Sequence, residues 1–201
     1  MPIITDINQL DLSKKYTYAD YLKWQFDERV ELIHGKIYRM SPAPNLEHQR
    51  VSRRLMNFLE NFLNEKKCEA FAAPTDVVLP LPPKKVKNDK IDIVVQPDVF
   101  VVCDPSKLGT QSCVGAPDWI IEVLSKGTSS KDLNEKFELY EFAKVPEYWI
   151  AHPTEGTLMI FRLDDNGKYQ SLRPQPFDRS HTVSPMVFPD LKIDLSKVFS
   201  A

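Results

Sequence analysis

The sequence predicts an α/β (α+β) fold, in which a mixed β-sheet is flanked by helices and an additional β-rich part follows at the C-terminal end. Residues 99–102 and 118–124 are short apolar runs rich in β-branched residues, which is typical of buried strands. Between residues 51 and 63 the apolar positions recur at the spacing of an amphipathic helix. From residue 146 onward, strand-like runs alternate with turns, so we expect this part to be mostly β.

The composition is that of an ordinary globular protein. The chain has 201 residues, of which 42% are hydrophobic and 27% charged, enough for one substantial core and short for two. We therefore expect a single domain over residues 1–201. The formal net charge of −2 argues against a protein that coats nucleic acid through bulk charge, although a local basic groove stays open as an alternative.

The apolar runs and the cysteines predict a cytoplasmic protein without a membrane span. No apolar run reaches the roughly 18 residues of a transmembrane helix, and no secretory signal pattern is present. Cys68, Cys103 and Cys113 have neither CxxC spacing nor a histidine at metal-ligand spacing. Cys103 ends an apolar run, so we interpret it as a buried free thiol, as expected in a reducing compartment.

The N-terminal segment predicts a short helix and a hairpin. Thr17 followed by Asp20 resembles a capping box, which favours a helix that starts at the next residue. Residues 30–33 and 36–40 are strand-like and flank a His-Gly pair that suits a two-residue turn. Glu31 therefore lies on the first strand of a predicted hairpin.

A longer helix is predicted over about residues 46–66. Asn45 is a suitable N-cap, and the apolar residues that follow share one helical face. His48 lies in the first turn of this helix.

The next strand-like region contains a proline beside an acid. We expect one strand over residues 71–81, and then a solvated loop over residues 84–90, for which a DNA-contacting arm is the alternative. Residues 91–103 read as a long strand with Pro97 inside it. Proline cannot donate to a strand ladder, so we expect the strand to bend there and to aim Asp98 into a cleft.

A second acid interrupts the next apolar run. Glu122 lies within the predicted strand over residues 118–124 and shares its face with apolar neighbours. Because a buried carboxylate without a partner is costly, it requires a metal ion or a cation. Ser129 and Asp132 predict the cap of a helix that carries Lys136 and reaches about residue 143.

The remaining elements complete the β-rich C-terminal part. An Asp-Asp-Asn-Gly sequence at residues 164–167 is a good hairpin turn. The other predictions are a loop over residues 104–117, strands over 146–151, 156–163, 168–172 and 181–188, and a short helix over 195–199.

Two acids on neighbouring strands and a lysine on the following helix predict a metal-dependent site. Mg²⁺ and Mn²⁺ prefer carboxylate oxygens and are usually held by one or two acids together with water and substrate phosphate. A lysine ammonium beside them can neutralise charge that develops on a phosphate. Asp98, Glu122 and Lys136 meet in this way if the two strands pair and the helix folds back over them.

The combined motifs extend beyond this trio. They are residues 31–38, Ser41-Pro42, His48, Gln96-Pro97-Asp98, residues 122–125, 132–140 and 146–150. In combination they resemble the Uma-type family of bacterial proteins, which have the restriction-endonuclease-like fold of the PD-(D/E)XK nuclease superfamily. The resemblance spans roughly residues 17–193 and implies that this is the core of the domain.

The resemblance also implies roles for individual residues. Asp98 matches the aspartate of the PD element, and Glu122 matches the second acid. Leu124 occupies the position at which the superfamily has its lysine. In Uma-type sequences this lysine has moved to the following helix, which points to Lys136. Lys126 in the intervening turn is the alternative, and Lys136 is preferred because a helix holds a side chain more firmly.

Three further residues have open roles. Glu31 is either an additional metal ligand or a salt-bridge partner. His48 is more readily explained as a residue at the rim of the site than as a proton carrier. Tyr140, one helical turn after Lys136, is expected to pack rather than to take part in chemistry.

We therefore expect a metal-dependent endonuclease that hydrolyses phosphodiester bonds in DNA, with Mg²⁺ or Mn²⁺ as cofactor and a homodimer as its assembly. The alternative is a catalytically inactive nuclease-fold module that binds nucleic acid or protein. The turn at residues 125–128 favours this alternative, because Ser-Lys-Gly-Thr replaces the family's Ser-Pro-Ser-Thr. A metal-independent hydrolase is disfavoured, since no serine or cysteine nucleophile has a recognisable base.

Overall fold

The computed structural model describes residues 3–40, 45–81, 87–125 and 131–200. Within these ranges the helices are α1 (Tyr18–Tyr21), α2 (Leu46–Leu63), α3 (Phe137–Phe142) and α4 (Leu195–Val198), and none of them is long and apolar enough to cross a membrane. The strands are β1 (Val30–Ile33), β2 (Lys36–Arg39), β3 (Glu69–Ala72), β4 (Asp76–Val78), β5 (Val94–Val95), β6 (Val99–Val102), β7 (Ser112–Val114), β8 (Trp119–Val123), β9 (Glu147–His152), β10 (Thr157–Leu163), β11 (Tyr169–Ser171), β12 (Thr182–Val183) and β13 (Ile193–Asp194). Short 3-10 turns lie at Ile7–Gln9, Asn88–Lys90 and Pro105–Lys107.

The strands form two mixed sheets and a ribbon in the described part of the chain. The larger sheet has six strands in the order β11-β10-β9-β8-β6-β3, of which only β8 and β9 are parallel neighbours. The smaller sheet has five strands in the order β2-β1-β5-β4-β7, with β4 and β7 parallel. β12 and β13 form a two-stranded antiparallel ribbon.

The six-stranded sheet lies between helices. Leu55 and Leu59 of α2 pack against one face, and Leu139 of α3 packs against the opposite face. Side chains alternate between the two faces of a strand, so Ile121 of β8 points to α2 while its neighbour Ile120 points to α3. The predicted mixed sheet flanked by these two helices is therefore confirmed.

The predicted break at Pro97 divides one long strand between the two sheets. β5 pairs with β1 of the smaller sheet, and β6 pairs with β8 of the larger one. A strand ladder cannot continue through proline, which has no N–H to donate. Asp98 therefore lies at the junction of the two sheets, immediately before the first residue of β6.

Three predicted elements differ from the structure. Residues 71–81 contain parts of two strands in different sheets, because a turn closed by the Thr75 hydroxyl and the Ala72 carbonyl separates β3 from β4. The predicted loop over residues 104–117 contains β7, which parallel pairing with β4 stabilises. Of residues 181–188, only the two of β12 pair, and the ladder ends before Pro185.

The predicted helix around Lys136 starts with a π-helical turn. This turn comprises Lys131–Lys136 and leads directly into α3. Such turns have i→i+5 hydrogen bonds and occur often at functional sites. Several predicted features lie outside the described residues: Ser129 of the predicted cap, the side chain of Asp132, the alternative Lys126, the Ser41-Pro42 motif and residues 84–86 of the predicted loop over 84–90.

The prediction of a free thiol at Cys103 is wrong. Cys68 and Cys103 form a disulfide. Glu69 of β3 lies opposite Val102 of β6 in an antiparallel pair, so the residues just beyond that pair face each other. Such long-range pairing cannot be deduced from cysteine spacing. Cys113 is a free, buried thiol, and burial raises its pKa to about 11.

Candidate active site

Glu122 lies in the middle of an apolar strand and is buried. It belongs to β8, where its neighbours Ile120 and Leu124 face the core on the α3 side. The residue is 2% exposed. Burial of an ionised carboxylate costs several kcal/mol unless cations and hydrogen-bond donors compensate it. The partners of this carboxylate therefore decide whether the strand is stable.

Lys136 supplies a cation to this carboxylate. Its Nζ lies 2.7 Å from Oε1 of Glu122 and 3.0 Å from Oε1 of Glu31. Lys136 is 3% exposed and Glu31 is 1% exposed, so these charges meet inside the protein. One ammonium thus joins β1 of the smaller sheet, β8 of the larger sheet and the turn that precedes α3.

Tyr140 donates a further hydrogen bond to the same glutamate. Its hydroxyl lies 2.8 Å from Oε1 of Glu122. Lys136 and Tyr140 are four residues apart, a spacing that places side chains on one helical face. Burial, and then the charge of Glu122, raise the pKa of Tyr140 well above its usual range, so the hydroxyl keeps its proton and donates it. The expectation that Tyr140 only packs is incomplete: it packs and also holds Glu122.

Asp98 lies close to Glu122, just before the strand that pairs with β8, and it is more exposed to solvent than the glutamates. Its Oδ2 accepts a hydrogen bond of 2.8 Å from the backbone N–H of Val123, the residue after Glu122. The side chain is 19% exposed, in contrast to the sealed glutamates. In the described part of the chain, no hydrogen bond or ion pair joins Asp98 to Lys136. Asp98 therefore adjoins the Glu122 cluster through the β8 backbone.

His48 reaches Asp98 from the start of α2. The side chain of Asn45 caps this helix by accepting from the His48 backbone N–H, as the sequence predicts. Nε2 of His48 lies 3.1 Å from Oδ2 of Asp98. Its Nδ1 is buried without a hydrogen-bond partner among the described residues. The contact therefore places the His48 ring beside Asp98.

Glu31 is also connected to a chain of hydrogen bonds between polar residues of the smaller sheet and α1. The backbone N–H of Gln96 donates to Oε1 of Glu31 at 3.0 Å, and its side-chain amide donates to Oδ1 of Asp76 at 2.8 Å. The hydroxyl of Tyr21 donates to the same Asp76 oxygen. Burial is the main cause of a raised pKa at Asp76. Sequence analysis missed Asp76 and Tyr21, because neither stands in a motif and both reach the site through tertiary contacts.

The structure thus brings the predicted residues to one place. Glu31, Glu122 and Lys136 form a direct cluster, and Asp98 with His48 lies next to it. Lys126, the alternative lysine, lies outside the described residues.

The donor set is suited to a hard divalent cation. Among the described residues, no three His, Cys, Asp or Glu side chains converge as a ready-made metal cage. Mg²⁺ nevertheless commonly binds through one or two carboxylates, with water and substrate phosphate completing its shell. Glu122 on β8 and Asp98, which immediately precedes the paired strand β6, offer such a pair of carboxylates.

Comparison with known proteins identifies the family. The sequence profile of the Uma2 family, described as "Putative restriction endonuclease", matches residues 18–196. The chain belongs to the Uma2 family. The matched segment contains every predicted site residue and confirms the resemblance drawn from the motifs.

Relatives within this similarity are uncharacterized. One protein of Synechocystis sp. is 27% identical over 168 residues, which are 82% of this chain and 83% of that protein. A second protein of the same organism is 28% identical over 143 residues, which are 69% of this chain and 75% of that protein. Neither relative's description names a reaction.

A solved structure shares the fold. The crystal structure of a protein from Anabaena variabilis ATCC 29413, described as "a putative nuclease belonging to DUF820", has a TM-score of 0.70 to this chain. The two are 21% identical, and the match covers 92% of this chain and 98% of that chain. At this identity the match establishes the fold. Together with Uma2 membership, it supports a nuclease-type protein.

Proposed function

We propose that this Uma2-family protein is a Mg²⁺-dependent endonuclease that hydrolyses phosphodiester bonds in DNA. The observation that supports this most is the convergence of Asp98, Glu122 and Lys136 at one edge of the sheet. Two acids on paired strands and a lysine on the turn that precedes α3 are a suitable set for phosphate chemistry. Mn²⁺ is expected to replace Mg²⁺, because both accept carboxylate oxygens.

In this proposal Asp98 and Glu122 hold the metal ion. When bound, Mg²⁺ lowers the pKa of a coordinated water and offsets charge on the phosphate. Asp98 is suited to make the first contact with an incoming metal ion, because its side chain is partly exposed. Tyr140 fixes the orientation of Glu122 by donating to one of its oxygens.

Lys136 has two tasks in this arrangement. Its ammonium balances the buried charge of Glu31 and Glu122, which keeps both carboxylates in the folded core. It also places a positive charge next to the acids, where a pentacoordinate phosphate would gain negative charge during water attack. His48 positions Asp98, and Glu31 positions Lys136.

One observation favours a catalytically inactive binding module instead. Oε1 of Glu122 already receives Lys136 and Tyr140, so an ion pair satisfies this oxygen without a metal. Titration with Mn²⁺ separates the two proposals. An enzyme binds Mn²⁺ through Asp98 and Glu122, and an inactive module retains its partner binding when both are replaced.

Cleavage of supercoiled plasmid tests the enzyme. We expect slow nicking in Mg²⁺ or Mn²⁺ and none in EDTA. Asp98→Asn keeps an oxygen for the Val123 N–H, and Glu122→Gln keeps one for Tyr140, so both variants should fold and yet lose at least about 100-fold in rate. Glu138→Gln is the matched control, since Glu138 is exposed on α3. Cleavage that persists equally in both site variants would show that a contaminating nuclease or another site is responsible.

Assembly and location complete the proposal. A homodimer suits cleavage of two strands, and size-exclusion chromatography with light scattering tests it. A cytoplasmic location stays a prediction, which fractionation of expressing cells tests. The Cys68–Cys103 disulfide removes one observation that favours this location, a free thiol at Cys103.

A further inference from the structure

Three arginines meet around a small cavity beside the candidate active site. The cavity has a volume of about 150 Å³ and is lined by Glu47, Arg50 and Arg54 of α2, by Pro153 after β9, and by Arg179 and Ser200. At about 30 Å³ for each water, it has room for about five water molecules or a phosphate group. The arginines come from chain segments about 125 residues apart, so the fold, and not local sequence, brings them together.

The cavity lies at the same edge of the sheet as the two candidate metal ligands. β8 and β9 run parallel, with Val123 opposite Ala151, and Pro153 follows two residues later. Asp98 accepts its hydrogen bond from Val123. On the helix side, Glu47 directly precedes His48, whose ring contacts Asp98. The start of α2 and the end of β9, which lie beside the elements that hold Asp98, therefore also supply residues of the cavity lining.

The cavity carries an excess of positive charge, and one of its arginines is fixed by backbone carbonyls. The Arg54 guanidinium donates to the carbonyls of Val198 and Ser200, which fixes it against the end of α4. In the described part of the chain, neither Arg50 nor Arg179 forms an ion pair with a carboxylate. Glu47 is the one acid of the lining, so three guanidinium groups face a single carboxylate. Such a cluster is suited to an anion.

Gly156 allows Arg179 to lie in this position. The glycine has a φ of +65°, and a Cβ added there would lie 2.6 Å from Nε of Arg179. The guanidinium therefore packs directly on the β9–β10 turn, and any side chain at residue 156 would displace it. Guanidinium groups bind phosphate oxygens in a bidentate manner, which suits them to a nucleic-acid backbone.

We propose that this cavity binds a backbone phosphate of DNA next to the scissile phosphodiester. The subsite rests on the proposed function, since it takes the same DNA substrate along the same edge of the sheet. Arg50 and Arg179 contact the phosphate, and Arg54 shapes the cavity wall. Contacts of this kind position the strand without reading its sequence.

The test measures binding in EDTA, where cleavage does not occur. A fluorescein-labelled DNA duplex is titrated with the wild type and with Arg50→Ala/Arg179→Ala, and polarisation is recorded at several salt concentrations. We expect binding to weaken about tenfold or more, because charge-assisted hydrogen bonds are lost. The slope of log K against log salt should fall by about 1, because the double variant loses the neutralisation of one phosphate.

Arg53 provides the matched control on the same helix. It is exposed and does not line the cavity, so Arg53→Ala removes a charge without touching the subsite. Its binding should stay within about twofold of wild type. If Arg53→Ala weakens binding as much per charge as the double variant, the effect is bulk charge and the subsite is refuted. Arg50→Lys/Arg179→Lys should recover only part of the affinity.

The remaining outcomes separate this subsite from the proposed enzyme. A wild type that cuts DNA while the double variant binds normally would overturn the subsite alone. A wild type that binds through these arginines but never cuts would overturn the endonuclease and support the subsite. Absence of DNA binding, or clearly tighter binding of an RNA duplex of the same sequence, would overturn the assignment to DNA.

Discussion

Removal of the Lys136 ammonium should destabilise the protein in a way that metal ions correct. Its Nζ lies 2.7 Å from Glu122 and 3.0 Å from Glu31, and all three residues are buried. Lys136→Met fills a similar volume without charge. It leaves both carboxylates in the core without this ammonium. The melting temperature of the variant therefore measures how strongly the folded state depends on a cation at this position.

The magnitude follows from the burial of the ion cluster. Loss of one partner of a buried ion pair costs about 3–5 kcal/mol. For a domain of this size, each kcal/mol lowers Tm by about 2–4 °C, so Lys136→Met should melt about 6–20 °C below wild type. A divalent cation that binds only the folded state at 100 times its Kd returns about 2.7 kcal/mol. Mg²⁺ or Mn²⁺ should therefore raise the Tm of the variant by about 5–11 °C, and that of the wild type by less.

Circular dichroism melts in EDTA and in Mn²⁺ measure both effects. Lys168→Met is the control, because its Nζ lies 2.6 Å from Glu141 but its side chain is 68% exposed. An exposed pair is worth less than about 1 kcal/mol, so the control should melt within about 4 °C of wild type. If Lys136→Met in EDTA melts as the control does, the ammonium is not balancing buried charge. A Tm that Mn²⁺ leaves unchanged would refute the metal site.

Two more predictions concern catalysis and pH. Lys136→Ala should lower the cleavage rate by orders of magnitude while Mn²⁺ affinity stays intact or improves. Lys126→Ala should lower the cleavage rate much less. A larger loss of activity in Lys126→Ala than in Lys136→Ala would identify Lys126 as the catalytic lysine. Burial raises the folded-state pKa of Asp76, so its ionisation costs stability as pH rises through that pKa. Asp76→Asn keeps an acceptor for Tyr21 and Gln96, and should be at least as stable as wild type at pH 7. The difference in stability between Asp76→Asn and wild type should vanish below about pH 4, where the Asp76 carboxyl is protonated in the unfolded chain as well as in the folded one. A Tm for Asp76→Asn below that of wild type at pH 7 would contradict this reasoning.

Local patterns in the sequence were sufficient to find the acids of the site. Period-two alternation placed Glu122 on an apolar face of its strand, and its burial is observed. Proline chemistry predicted the break before Asp98, and the strand divides there. Both inferences depend on one or two neighbouring residues, which the sequence shows directly. The asparagine cap that places His48 in the first turn of α2 is equally local.

Contacts between distant segments were not predictable in the same way. The disulfide of Cys68 and Cys103 depends on the register of two strands 30 residues apart in the chain, which no spacing rule provides. Strand β7 exists because β4 lies beside it. Tyr140 stood at the correct helical spacing from Lys136. Its acceptor, however, is a glutamate on another element, so packing was the reasonable expectation.

Exposure divides the site into a sealed part and an open part, and this division decides how an enzyme here would differ from an inert scaffold. Glu31, Glu122 and Lys136 stabilise the core by pairing inside it, and an inert scaffold would need them for that reason alone. Asp98 is different, because its side chain is partly exposed and a backbone N–H and His48 hold it at the mouth of the cluster. A stability role does not require a restrained, solvent-accessible carboxylate at that point, whereas a metal ion and a phosphate arriving from solvent do. Asp98→Asn is therefore the substitution that most cleanly separates the two proposals, since it should leave Tm nearly unchanged and remove Mn²⁺ binding.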